Sequence, residues 1–292
     1  MTRQLGRDLL GLPEVATLLG VHYMTAYRYV RQGRLLATRH GTKWQVHPAD
    51  VKALRGYGDG RERRGAARTV TDSEGLERRM LAGDSAGAWW LVESHLSGGS
   101  DPSGVLTELV VPALRSIGEH WAEGIVSVAD EHRATAVAQQ VVGRLGLQFG
   151  RRGTHRGTVA LAAPPGDLHV LPVAIVADLL RWRGFNVLEL GGNTPAEVLG
   201  DAVAREERLL AVGIVATIAG LDDEVAASAR SVRAAVPDLP IFLGGASIQS
   251  EAQARRLGGD SWTGLGSGAA AETVERLAKS REGRTRGYAY DS

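Results

Sequence analysis

The sequence predicts a multidomain chain: a winged helix-turn-helix, then a four-helix bundle, then an α/β Rossmann-like (flavodoxin-like) domain on a parallel sheet. Three observations predict this. Two short apolar-periodic runs near the start are separated by a Gly-containing turn and followed by an alternating stretch. Four runs of helical length with short breaks lie between Ser73 and Phe149. From Gly157 the rhythm changes to short strand-like runs separated by amphipathic stretches, the pattern of βαβ units. The expected boundaries are a winged helix-turn-helix domain over 1–56, a linker over 57–72, a bundle over 73–152, an α/β domain over 153–281 and a flexible tail over 282–292.

Composition narrows the chemistry. With 292 residues, 43% hydrophobic and 23% charged, the chain can bury more than one core. It contains no cysteine. That excludes disulfides, thiolate zinc sites, iron–sulfur clusters and cysteine nucleophiles. No apolar run approaches the roughly 18–20 residues of a membrane span. The N-terminal MTRQLGRDLLGLPE has no long apolar stretch after its charges, so a cytoplasmic protein without membrane association is expected. The net charge of +1 hides an asymmetry. Residues 1–56 carry nine basic and three acidic side chains, and 57–72 carry four and three. The first segment is therefore +6, the second +1 and the remainder −6. A basic end on an acidic body suits a polyanion-binding module on a carrier.

In the first domain, Pro13 suits a first helical turn, and Val15, Ala16, Leu18 and Leu19 form one apolar face. Gly20 ends that helix, and a second runs from near His22 to Arg31. LLATRH and KWQVHP flank Gly41-Thr42 as a hairpin wing. This pattern resembles the helix-turn-helix domains of the MerR and excisionase families over about the first 55 residues. A second helix in a major groove would present His22, Tyr23, Thr25 and Arg28 to base edges. Arg31, Arg39 and Lys43 would meet phosphates, which add affinity but read no sequence. The expected partner is a double-stranded DNA operator. Tyr27, Tyr29 and Trp44 are expected in the small core. The competing reading is a protein-binding helical module with a solvated basic face.

The linker YGDGRERRGAARTVTD is dense in Gly and Arg. The bundle helices follow, with breaks at Gly83-Asp84, Gly98–Pro102 and Glu123-Gly124. In the α/β region the strand-like runs are TVALAAP, NVLEL, LLAVGIVAT, PIFLGGA and SWTG. The glycine fingerprint of a dinucleotide-binding domain is missing after the first. Instead that strand runs into Pro164-Pro165-Gly166-Asp167-Leu168-His169. Ligands of open parallel sheets sit beyond the carboxyl ends of the strands, so His169 is at a ligand-facing position. Asp167 is placed to accept from its imidazole and fix the tautomer, as partners of metal-bound histidines do.

Asp167-Leu168-His169 resembles the Asp-x-His-x-x-Gly motif of cobalamin-binding domains. Gly244-Gly245 is similar to their Gly-Gly. Trp121, separated by nine residues from Glu131-His132, resembles the helical cap of the CarH/LitR photoreceptor regulators, and the domain order is theirs too. The resemblance implies a regulator controlled by adenosylcobalamin, with His169 as lower ligand of its cobalt. It implies that Trp121 and Glu131 meet the adenosyl group in the dark, and that His132 takes the upper site after photolysis. It implies a homo-oligomer, a tetramer in the dark, that represses transcription and is taken apart by light. No enzyme activity is expected on this reading.

Two departures stand out. The motif's final Gly is Pro172, and the usual Ser at the end of the third strand is replaced in Val215-Ala216-Thr217, where only Thr217 can hydrogen-bond. They motivate an alternative, a regulator whose altered pocket takes another chromophore such as a bilin. A further alternative is a corrinoid carrier component of a methyltransferase, against which the N-terminal domain argues.

Overall fold

The computed structural model describes residues 9–31, 35–41, 43–56, 65–150, 155–206, 208–264 and 269–277. The chain divides into two compact units, Met1–Leu145 and Gly146–Ser292.

The first unit opens with the helix-turn-helix. Strand β1 (Leu10–Gly11) leads into α1 (Leu12–Leu19) and α2 (Tyr23–Arg31). Gly20, at φ 66°, makes the left-handed turn between the helices, a conformation glycine adopts without steric cost. Strands β2 (Thr38–His40) and β3 (Lys43–Val46) form the wing, and β3 lies between β1 and β2 in an antiparallel sheet. Leu12, Val15, Ala26, Leu35, Val46 and Val51 make the core, with Tyr27, Tyr29 and Trp44 packed against it as expected. Helix α3 (Pro48–Gly56) closes the domain, and its start is capped by His47, whose Nδ1 accepts from the Ala49 N–H at 3.3 Å.

Four helices follow, as the sequence predicts: α4 (Gly65–Leu81), α5 (Ser85–Ser97), a composite third helix and α8 (Val128–Gly146). The third consists of α6 (Pro102–Gly104), a π-helical turn (Val105–Val110) and α7 (Val111–Ala122). Leu76, Met80, Leu91, Leu106, Leu109, Ala134 and Val141 are buried along these helices. Two expected boundaries move. The 57–72 stretch is not linker throughout, because α4 begins at Gly65. Ala66, Ala67 and Arg68 are strong helix formers, and Asp72 and Ser73 are already buried. Residues 57–64 lie outside the described residues, as does the 282–292 tail. At the other end the bundle does not reach 152. The chain divides at Leu145/Gly146, and Phe149 packs edge-on against Trp182 at 6.0 Å, within the second unit.

The second unit has five parallel strands, β4 (Thr158–Ala162), β5 (Asn186–Gly191), β6 (Leu209–Val215), β7 (Ile241–Gly244) and β8 (Ser261–Trp262). Their order is β5-β4-β6-β7-β8. Helices α9 (Val170–Trp182), α10 (Ala196–Arg205), α11 (Asp222–Ala235) and α12 (Glu251–Arg256) connect them, and a last helix covers 269–277. Alternate residues of the central strands feed two separate apolar clusters, one with Val212, Ile214 and Leu243, the other with Ala211, Val215 and Phe242. Strand β4 has its sequence successor β5 on one side and β6 on the other. The crevice beyond the ends of β4 and β6 is thus the switch point where such sheets bind ligands.

Candidate functional site

The loop after β4 carries Asp167 and His169 to that switch point, and Thr217 arrives from the end of β6. Asp167 has no exposed surface. Its Oδ1 lies 2.9 Å from His169 Nδ1 and accepts from the His169 N–H at 3.1 Å. Its Oδ2 accepts from the Thr217 N–H at 2.6 Å, and the Thr217 hydroxyl donates to it at 2.9 Å. Burial pushes the carboxyl up, but the hydrogen bonds from Thr217 and His169 outweigh burial and hold it below the ordinary aspartate value. The carboxylate can only accept, so His169 Nδ1–H donates to it, and Nε2 is the ring nitrogen left for another partner. The Thr217 oxygen, 2.9 Å from Nδ1, braces the ring a second time.

The loop is fixed from below. The Asn193 N–H donates to the Asp167 carbonyl at 2.7 Å, and the Asn193 side-chain oxygen accepts from the Gly166 N–H at 2.8 Å. Asn193 sits at φ 49°, which asparagine tolerates better than most residues. Sequence reasoning missed Asn193, and the Gly191-Gly192-Asn193 turn was the signal that could have found it. The His169 side chain stays 57% exposed, flanked by exposed Leu168 and Val170. Pro172 is the third residue of α9, within the first turn, where no helical carbonyl awaits its missing N–H.

Val215 does not join the polar group, because its side chain is buried in the cluster with Phe242 and Val274. Gly244 and Gly245 also serve internal packing. A Cβ on Gly245 would lie 2.1 Å from the Ala216 carbonyl oxygen, and one on Gly244 would lie 2.3 Å from Thr263 Oγ1.

In the first unit, Trp121 ends α7 with 51% of its surface exposed, and Ile125 and Val128 just after it are exposed as well. Glu131 and His132 open α8. His132 Nδ1 lies 2.9 Å from Glu131 Oε2, and Thr135 donates to Glu131 Oε1 at 2.7 Å. The His132 side chain is 76% exposed. The apolar pair Ile125 and Val128 was not anticipated beside Trp121, and their spacing just past the Glu123-Gly124 break marks it.

In the helix-turn-helix domain, His22 caps α2, its Nδ1 accepting from the Met24 N–H at 3.3 Å. Tyr23 and Arg28 are exposed, Thr25 is half-buried, and Met24, not anticipated from the sequence, is 58% exposed on the same turn. Arg39 and Lys43 are exposed on the wing, with the Arg39 guanidinium 5.9 Å from the Trp44 ring. The Arg31 side chain lies outside the described residues.

The residues around His169 suit a metal already held by a macrocycle. Among the described residues, no group of three or more His, Asp or Glu could hold a free ion. One neutral imidazole, oriented by a buried carboxylate, is what an axial position requires.

Comparison with known proteins agrees with this division of labour. Residues 9–55 match a helix-turn-helix domain family, and residues 73–145 match the B12 binding domain family. A further comparison decides the resemblance. The chain is 35% identical over 153 residues to the HTH-type transcriptional repressor CarH of Myxococcus xanthus, over 51% of this chain and 49% of that protein. This chain is similar to a CarH repressor. It is also 24% identical over 122 residues to a methanol–corrinoid protein of Methanosarcina barkeri, over 42% of this chain and 47% of the other. The chain thus spans about half the length of the curated relatives it matches. The monomethylamine corrinoid protein of Methanosarcina barkeri shares the fold, with a TM-score of 0.57 at 18% identity, covering 69% of this chain and 96% of that one. Among the described residues no helix is long and apolar enough to cross a membrane.

Proposed function

We propose that this chain is a DNA-binding transcriptional repressor, not an enzyme, whose assembly and DNA affinity are set by adenosylcobalamin. The observation that carries the reading is the joint presence of the exposed His169 imidazole, held from behind by buried Asp167 and Thr217, and a helix-turn-helix with a basic wing. A methyl-carrying corrinoid subunit would use the first and have no use for the second.

Each residue has a role. His169 would hold the cobalt through Nε2, with Asp167 accepting from Nδ1–H and fixing the ring. Thr217 keeps the imidazole from rotating. Trp121 would offer a flat apolar surface, and Glu131 a hydrogen-bond acceptor, to the adenosyl group. His132, exposed and paired with Glu131, would be a second imidazole available to the cobalt. When bound, the cofactor supplies a cobalt–carbon bond that light can cleave. His22, Tyr23, Thr25 and Arg28 read base edges, while Arg31, Arg39 and Lys43 meet phosphates. Bound cofactor favours a homo-oligomer, a tetramer in the dark, which engages several operator half-sites at once and gains affinity by multivalency. The ligand can act only through a difference in contact energy between the assembled and separated states, and the cap residues are where that difference arises.

The test is spectroscopic. Protein mixed in the dark with adenosylcobalamin and desalted is expected to keep a His-ligated cobalamin spectrum that green light changes. His169→Ala is expected to lose the His-ligated form. An unchanged spectrum in that variant sinks the lower-ligand assignment. Colourless wild-type protein would point instead to a pocket altered at Pro172 for another chromophore.

A further inference from the structure

One turn of α4 touches both the cap helices and the DNA-binding domain. Residue 120 precedes the cap tryptophan, and His120 Nδ1 lies 2.8 Å from Oε1 of buried Glu77 on α4. The His120 carbonyl also accepts from the N–H groups of Ile125 and Val126, at 2.8 and 3.1 Å, which fixes the turn from α7 into α8. Residue 133 follows Glu131 and His132, and Arg133 Nε donates to the Leu81 carbonyl at the end of α4, at 2.9 Å. Both sets of cap residues therefore have a sequence neighbour bonded to the same stretch of α4.

The residues between those two attachment points turn the other way. Arg78 donates to Oδ1 of Asp50 at 3.0 Å, and the Arg79 guanidinium lies 4.0 Å from the same oxygen. Asp50 belongs to α3 of the helix-turn-helix domain and is 2% exposed. Arg79 is equally buried, and it also reaches Asp84, whose side chain caps α5 by accepting from the Gly87 N–H. Charges this buried are costly unless their geometry is kept, so the cluster tolerates few arrangements and transmits displacement instead of absorbing it.

We infer that Glu77, Arg78 and Asp50 are positioning residues that couple the state of the cap to the seat of the DNA-binding domain. This deepens the functional reading above and rests on it. A ligand that moves the end of α7 or the start of α8 shifts His120 or Arg133, and α4 carries that shift to Asp50 and so to α3. The coupling acts inside one protomer, in addition to any change of assembly. Its physical content is a coupling free energy between two sites, which is measurable independently of either binding event.

The experiment compares wild type, Glu77→Gln and His120→Gln. Two quantities are read: adenosylcobalamin retained after desalting in the dark, and the dissociation constant for one duplex selected by the wild-type chain from a random library, with and without the cofactor. Both variants are expected to retain as much cobalamin as wild type and to bind the duplex without cofactor within about twofold. The ratio of the two dissociation constants is expected to fall at least fivefold toward one. A wild-type ratio in both variants overturns the inference. His120 is part-exposed, so its variant keeps the test alive if the buried Glu77 variant folds poorly. A wild-type chain that is colourless, or whose DNA binding ignores the cofactor, overturns the functional reading itself and this coupling with it.

Discussion

The loop after β4 and the turn between α7 and α8 hold their histidines in different ways. His169 stands against a carboxylate with no exposed surface, which is itself bonded by Thr217 and by backbone from two loops. His132 has one side-chain partner, Glu131, and both lie on the same outward turn of α8. Trp121 is half exposed. One end is built before any ligand arrives; the other has side chains free to rearrange. The proposed switch would need both, since an anchor that moved would lose the ligand and a reader that could not move would report nothing.

Breaking the anchor is expected to have the largest effect. Asp167→Ala leaves two backbone N–H groups and a hydroxyl without their buried acceptor, a loss of about 3 kcal/mol in unfolding free energy. Removing the imidazole, by His169→Ala, is expected to cost less than about 1 kcal/mol, because that side chain is mostly exposed. Urea unfolding of the two variants side by side checks the contrast, and equal losses would mean the network is not what fixes the loop.

At the end of α7, Trp121→Ala is expected to cost about 1–2 kcal/mol of stability, since about half of the residue is buried. Retention of adenosylcobalamin is expected to fall about tenfold, the size of losing one aromatic contact. Equilibrium dialysis in the dark measures it. An unaltered affinity would remove Trp121 from the site.

The smallest effects are in the pH dependence, and two aspartates of the α/β unit have opposite signs. Asp167 is held below the usual value of 3.8, so its contribution is fully present above that pH and is lost as pH falls through its lower folded value. Burial raises Asp178, on α9, above 3.8, and Arg181 offsets only part of this. Its charged form therefore opposes folding at neutral pH, and that opposition is relieved as pH falls through the raised value. Asp167→Asn is expected to flatten the acid limb of stability against pH, and Asp178→Asn to steepen it. Unfolding free energies between about pH 7 and about pH 3 test both signs.

The strands were legible because each carries a short apolar run bounded by turn residues, and all five formed where TVALA, NVLEL, LLAVGIV, IFLG and SW stand. The Asp167–His169 pairing was legible because two residues of loop spacing already brings the groups together. Thr217 was visible as a residue but not in its function, since its bond to Asp167 spans fifty positions that only the sheet order closes. Val215 stays outside that group because it is the last residue of β6 and its side chain is buried in the Phe242 cluster, whereas Thr217 lies past the strand end. The early start of α4 was hidden by glycine and arginine in the stretch before it. The charge cluster at Asp50 was invisible because Arg78 and Arg79 read as an ordinary solvated helix face.

The π-helical turn at Val105–Val110 has one more consequence. Such a turn is equivalent to a single residue added to an α-helix without breaking it. Pro112 follows within the next turn, and the widened loop eases its ring past the carbonyl four residues back. Every side chain beyond it is rotated by about 100° from where an uninterrupted helix would place it, because one residue is worth that angle. The compass bearing of Trp121 and His120 is thus set some ten residues upstream. An ancestor lacking that one residue would have carried the same tryptophan in its sequence and aimed it elsewhere.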